Sequence, residues 1–238
     1  IVGIKSTILS KKEVLFLKKY RPWGVILFTR NIKNINQTHK LTSNIRKIFK
    51  DKKYPILIDQ EGGRVNRLKN IITFDNLTSE YFGNKFIKND YEFKILYKLF
   101  IDKTAFLLKQ IGINVNSVPV LDLRMKGSSN VIGDRSYSKN PKIVSRIGDI
   151  CIKLFHANSI GTIIKHIPGH GLAKVDSHHS TPKIDKSLKY LIKNDFKPFK
   201  NKKTFFAMTG HLVFNKIDKK NTVTHSKKII EFIRKKIG

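Results

Sequence analysis

Short apolar runs, each ending in polar or charged residues, recur along the chain with amphipathic segments between them. Six runs carry the pattern: Ile1 to Ile4 (weakly), Gly24 to Phe28, Ile56 to Ile58, Val115 to Leu121, Gly161 to Ile164 and Phe205 to Met208. None shows the strict alternation of a half-exposed antiparallel strand, so they are predicted to be strands covered on both faces. Segments with helical spacing lie between them, among them Lys11 to Lys19, Ile35 to Lys50, Asp90 to Ile111, Lys142 to Asn158 and Leu188 to Lys200.

Strand and helix therefore alternate, which predicts a parallel sheet with crossover helices, either a (β/α)8 barrel or a doubly wound open sheet. No glycine-rich dinucleotide turn follows the first strand, and polar residues collect at nearly every strand end, so the barrel is favoured. The chain has 238 residues, somewhat short of the ~250 of a typical barrel of this kind. It begins at Ile1 and stops after a basic, helical-looking stretch. The expectation is a single α/β domain over 1–238, a TIM-type barrel incomplete at its C-terminal end with about six of the eight strands present.

The residues just past the strand ends are Arg30, the cluster Asp59-Gln60-Glu61-Gly62-Gly63-Arg64, Asp122, Lys165-His166 and His211. Any one of them could be a cap or a strand-end ion pair. Their recurrence at the C-terminal ends of several strands, the face where such barrels build active sites, favours a site.

The formal charge is +31, from 48 Lys plus Arg against 17 Asp plus Glu, which raises nucleic acid as a partner. Only nine of those basic residues are Arg, and the lysines are scattered through nearly every segment. A nucleic-acid face would need a stripe with interleaved aromatics. The charge reads as a solvated lysine surface, with no nucleic acid partner expected. No run approaches the ~18 apolar residues of a membrane span, and no membrane partner is expected. The one cysteine, Cys151, sits in the apolar run Ile150-Cys151-Ile152 and reads as a small core residue in a cytoplasmic protein.

Four of the eight histidines fall in Lys165-His166-Ile167-Pro168-Gly169-His170-Gly171 and Asp176-Ser177-His178-His179. His166 and His170 have the spacing of a helical zinc pair, but Pro168 and Gly169 between them work against a helix. No metal site and no cofactor is expected. A histidine titrates near neutrality and can give a proton in one step and take one in the next. Asp176, two residues before His178, could fix its tautomer.

The motifs DQEGGRVNR at 59–67, VIGDRSYS at 131–138, KHIPGHG at 165–171 with DSHHSTP at 176–182, and MTGHLVF at 208–214 occur in that order. Together they resemble the family 3 glycoside hydrolases of the bacterial β-N-acetylglucosaminidase type, which remove N-acetylglucosamine from peptidoglycan fragments during cell-wall recycling. The resemblance covers essentially the whole chain. It implies a retaining exo-enzyme with His178 as acid/base and Asp176 as its partner, replacing the carboxylic acid of most glycosidases. It also implies that Asp59, Arg67, Arg135, Lys165 and His166 hold the sugar ring. Their chemistry suits hydroxyl groups, because a carboxylate accepts and Arg or Lys donate charge-assisted hydrogen bonds.

The chain departs from the family pattern at Ile167, where Phe is usual, and at His179, where an apolar residue is more common. A larger departure concerns the aspartate nucleophile, which the family carries at a strand end that would follow Gly238. After His211 the only acidic residues are Asp218 and Glu231, one in a lysine-rich loop and one on a final helix. The expectation is a β-N-acetylhexosaminidase acting, as a monomer, on N-acetylglucosamine-containing peptidoglycan fragments, with the 238-residue chain inactive alone. A non-catalytic sugar-binding module and another family 3 β-glycosidase are the alternatives.

Overall fold

In the computed structural model, which describes residues 1–175 and 180–238, a six-stranded parallel sheet carries the fold. Its strands are β1 (Val2–Gly3), β2 (Val25–Leu27), β3 (Ile56–Ile58), β4 (Val115–Asn116), β5 (Gly161–Ile167) and β7 (Phe206–Thr209), hydrogen-bonded in that order. A two-stranded parallel pair, β6 (Lys183–Ile184) with β8 (Val213–Phe214), lies apart from it. The helices α1 (Lys11–Tyr20), α2 (Ile35–Phe49), α3 (Ser79–Lys88), α4 (Asp90–Gln110), α5 (Pro141–Ala157) and α6 (Leu188–Lys193) lie between strands, and α7 (Lys227–Phe232) follows the last of them.

Neighbouring strands follow one another in sequence, the order of a singly wound barrel rather than of a doubly wound sheet. The sheet is curled. Trp23, at the entry to β2, and Phe206, at the start of β7, have ring centroids 4.9 Å apart although three strands separate β2 from β7. The result is an incomplete barrel with helices outside.

Strand side chains divide between two cores, as burial on both faces requires. Leu57, Val115 and Ile163, flanked by Ile26 and Met208, pack inside the curl. Val25, Leu27, Ile56, Ile58 and Ile164 point outward into the larger core shared with the helices. Helix α2 shows how the pattern is satisfied: Thr38, Leu41, Thr42, Ile45 and Phe49 are buried at helical spacing, and the Asn34 side chain caps its start by accepting from the Gln37 amide at 2.8 Å.

Two elements differ from the sequence reading. The apolar run from Val115 to Leu121 pairs as a strand only over Val115–Asn116. Beyond Ser117 the chain leaves the ladder, returning to β5 through a single bridge between Val120 and Lys165. The segment 188–200 is likewise not one helix: α6 stops at Lys193, and Pro198, which lacks an amide hydrogen, lies in a separate 3₁₀ turn at Lys197–Phe199. Helix α3 is additional to the segments read from spacing.

Candidate active site

The C-terminal ends of β2, β3, β5 and β7 surround a pocket of about 350 Å³, lined by residues that include Phe28, Asp59, Lys165, His166, Thr209 and His211. Arg67, from the loop after β3, and Arg135, from a 3₁₀ turn at Gly133–Arg135, complete its wall. The five side chains assigned to the sugar by resemblance, Asp59, Arg67, Arg135, Lys165 and His166, thus face one cavity. Asp176 and His178 lie outside the described residues.

Lys165 is the centre of the charge arrangement, with only 2% of its side chain exposed. Its Nζ meets Asp59 Oδ1 at 3.0 Å and Glu61 Oε1 at 2.6 Å. Arg135 grips the same Glu61 in a fork, Nε to Oε2 and an Nη to Oε1, both at 2.8 Å. Burial alone would raise the Glu61 carboxyl, but the charges and hydrogen bonds of Lys165 and Arg135 reverse that and hold it at about 2. Glu61 in turn raises Arg135 against the lowering effect of burial. Two cations and two carboxylates form one network, the arrangement that makes buried charge tolerable.

A second buried carboxylate orients the histidines. Asp122, beyond β4, is fully buried and accepts from His166 Nδ1 at 2.6 Å, from the His166 amide at 3.2 Å and from the His170 amide at 2.7 Å. Burial would raise this carboxyl, yet His166 and His170 lower it below the usual range. An ionised carboxylate only accepts, so His166 carries its proton on Nδ1 and leaves Nε2 for the pocket. Burial lowers His170, keeping that imidazole neutral near pH 7, and neither of its ring nitrogens has a hydrogen-bond partner among the described residues.

Adjacent residues on a regular strand face opposite sides, so Lys165 and His166 could not both reach one pocket. The pairing of β5 with β7 shifts register between Lys165 and Ile167, and this irregularity lets both side chains line the cavity.

Arg67 is placed through its backbone: Gln60 Oε1 accepts from the Arg67 amide at 2.8 Å, and Asn116 of β4 exchanges two hydrogen bonds with the Gln60 backbone, both at 2.9 Å. The Arg67 guanidinium lies 5.9 Å from the Phe28 ring centroid. Arg30, also at a strand end, belongs elsewhere: its Nε donates to the Ile4 carbonyl at 3.0 Å. Arg64 points outward to Asp134. Glu61, Asp122 and His170 line or orient the site without having been assigned a role there from the motifs. The period of two along an extended chain is the signal that could have found Glu61, since it puts residues 59 and 61 on one face. No group of three or more metal-ligating side chains occurs among the described residues.

A sequence profile of the glycosyl hydrolase family 3 N-terminal domain matches residues 4–238. Beta-hexosaminidase A of Pseudoalteromonas piscicida is 32% identical over 219 residues, which is 87% of this chain and 36% of that protein. The beta-hexosaminidase of Actinobacillus pleuropneumoniae serotype 3 (strain JL03) is 32% identical over 226 residues, 92% of this chain and 63% of that protein. The chain thus spans from about a third to two thirds of the length of the relatives it matches. The crystal structure of native NagZ from Neisseria gonorrhoeae superimposes with a TM-score of 0.89 at 28% identity, covering 100% of this chain and 69% of that one. A second structure of that protein is a complex with N-trifluoroacetyl-D-glucosamine.

Proposed function

The chain belongs to glycosyl hydrolase family 3, and from that premise we propose that it forms the barrel of a retaining exo-β-N-acetylglucosaminidase that releases terminal β-linked N-acetylglucosamine from peptidoglycan fragments. The convergence of Asp59, Arg67, Arg135, Lys165 and His166 on one pocket at the strand ends carries this reading. Ionic and imidazole groups around a cavity of about 350 Å³ suit a single polar ring better than an apolar ligand.

In this reading Asp59 accepts from sugar hydroxyls, and Arg67, Arg135 and Lys165 donate to hydroxyl or acetamido oxygens. His166 presents Nε2 to the ring. Support for His178 as acid/base and Asp176 as its partner comes from the Asp176-Ser177-His178 motif following KHIPGHG. His178 would protonate the leaving oxygen as an aspartate attacks the anomeric carbon, then take a proton from the water that cleaves the glycosyl ester.

That nucleophile needs a carboxylate about 5 Å from the acid/base. Asp59 and Glu61 are committed to Lys165, and Glu61 to Arg135 as well, which suits holding the ring more than attacking it. The proposal assigns the nucleophile to sequence following residue 238, consistent with relatives longer than this chain. It also assigns a monomeric state and a cytoplasmic location. No helix among the described residues is long and apolar enough to cross a membrane, and the only thiol, Cys151, is buried and free.

The test compares the 238-residue chain with the full-length protein on an aryl N-acetyl-β-glucosaminide. Hydrolysis by the longer protein alone is expected. Hydrolysis by the short chain would put the nucleophile inside it and overturn the assignment. Sugar binding without turnover in the full-length protein would make this a sugar-binding module.

A further inference from the structure

The segment 61–64 reverses direction through Gly62 and Gly63, both at positive φ, +94° and +54°. Glu61 and Arg64, three residues apart, consequently both reach the loop 130–135. Glu61 takes the Arg135 guanidinium on the pocket side. Arg64, on the outer side, directs one Nη at three successive carbonyls, those of Asn130 at 2.6 Å, Val131 at 2.8 Å and Ile132 at 3.1 Å, while its Nε meets Asp134 Oδ1 at 2.8 Å.

Three consecutive carbonyl oxygens aimed at one point repel each other unless a donor sits between them. The Arg64 guanidinium is that donor, and it leaves so little room that a Cβ on Gly133 would stand 3.3 Å from its Nη. Arg135 also donates to the Val131 carbonyl, at 3.0 Å. The two guanidiniums thus meet at one backbone oxygen, one from inside the pocket and one from outside. The loop they hold supplies Val131, Ile132 and Arg135 to the pocket wall. An exposed Arg–Asp pair contributes little by itself, but a planar fork that satisfies several carbonyls fixes a backbone conformation in a way a point charge does not.

We propose that Arg64 is a positioning residue that holds the 130–134 loop in its ligand-ready shape, so that sugar affinity depends on a side chain that never touches the sugar. This rests on the glycosidase reading of the pocket. The cost of ordering the loop falls on the binding step when the clamp is removed, because every later state needs the same wall.

The experiment uses Arg64→Ala and Arg64→Lys in the full-length protein, with steady-state kinetics on an aryl N-acetyl-β-glucosaminide and amide hydrogen exchange across 129–136. Arg64→Ala should raise KM about tenfold and leave kcat within about threefold, the signature of lost binding common to ground and transition states. Exchange of the Arg135 and Ser136 amides, which close onto Ile132 and Gly133, should accelerate about tenfold or more. Arg64→Lys keeps the charge but loses the fork, and it should stay closer to Arg64→Ala than to the unmodified protein. The proposal is overturned if Arg64→Ala changes neither KM nor exchange, or if Arg64→Lys restores both. Absence of hydrolysis by the unmodified protein would sink the glycosidase reading instead, and exchange across 129–136 would still decide the role of Arg64.

Discussion

Buried carboxylates at this site are pulled in opposite directions, and the difference is measurable. Glu61 is held at about 2, below its ordinary 4.5, because Lys165 and Arg135 outweigh the desolvation that would raise it. Asp195, after α6, is buried, has no hydrogen-bond partner for either carboxylate oxygen among the described residues, and backs the turn at Gly169, where a Cβ would come within 2.9 Å of its own Cβ. Burial, reinforced by the negative charge of Asp122, raises it from 3.8 to about 7. The signs follow from linkage. Ionised Glu61 stabilises the fold above about pH 4.5, and this contribution is lost as pH falls from there through about 2. Asp195 is favoured neutral in the fold, so stability declines as pH rises from about 4 to about 7, and the cost is fully present above that. Replacing Asp195 by Asn removes the second slope. Relative to the unmodified protein, Asp195→Asn should gain about 3 kcal/mol between pH 5 and pH 8, as an upper figure. Urea unfolding at the two pH values measures it, and an unchanged difference would mean that Asp195 is ionised in the folded chain throughout. Glu61→Gln should do the reverse, losing stability at pH 7 because it leaves Lys165 and Arg135 facing a neutral amide.

At the scale of elements, the turn at 62–63 joins fold to site. Gly62 has φ +94°, and a Cβ there would stand 2.4 Å from the Leu77 carbonyl, so Gly62→Ala should cost at least about 2 kcal/mol through clash and strain. Gly127, at φ +77° with nothing within 4 Å among the described residues, should tolerate Ala at no more than about 1 kcal/mol. Chemical denaturation of the two variants checks the contrast, and N-acetylglucosamine affinity should fall only in the first. These elements also mark what the sequence makes legible. The short runs Val25–Leu27 and Ile56–Ile58 are strands covered on both faces, Ile26 only in part, and that leaves an uninterrupted apolar signature. Helix α3 leaves a weaker signature, since Gly83, a poor helix former, lies inside its unbroken span Ser79–Lys88. The reason lies far away in sequence: a Cβ at Gly83 would come within 1.7 Å of the Tyr137 carbonyl. The polar strand ends could be read one by one, and the family motifs selected five that do face one pocket. The Asp122 contact with His166 spans 44 residues, and the register shift in β5 depends on pairing with β7. Neither leaves a local pattern.

The whole molecule combines an open sheet with a large positive charge, and the two oppose each other. Strands β1 and β7 end the sheet order, and beside β7 the side chain of Phe205 is 94% exposed with Phe206 partly so. An unpaired strand edge next to exposed aromatic rings is a template for association. The formal charge of +31 resists it by self-repulsion, over a range of about 30 Å at 0.01 M salt and about 3 Å at 1 M. The 238-residue chain alone should therefore sediment as a monomer at low ionic strength and self-associate as salt is added. A protein extended by the sequence proposed to follow residue 238 should not, where that sequence covers the β7 edge. Phe205→Lys combined with Phe206→Lys should suppress the association, though the second change also removes the Trp23 contact. The salt dependence separates this account from one in which the lysines form a nucleic-acid face, because counterion release makes polyanion binding weaken with salt. Sedimentation velocity across a salt series, run with and without a DNA duplex, decides between them, since self-association should grow with salt whereas duplex binding would weaken. Association that falls as salt rises would show that charge, not the open edge and its aromatic rings, governs how this molecule meets its neighbours.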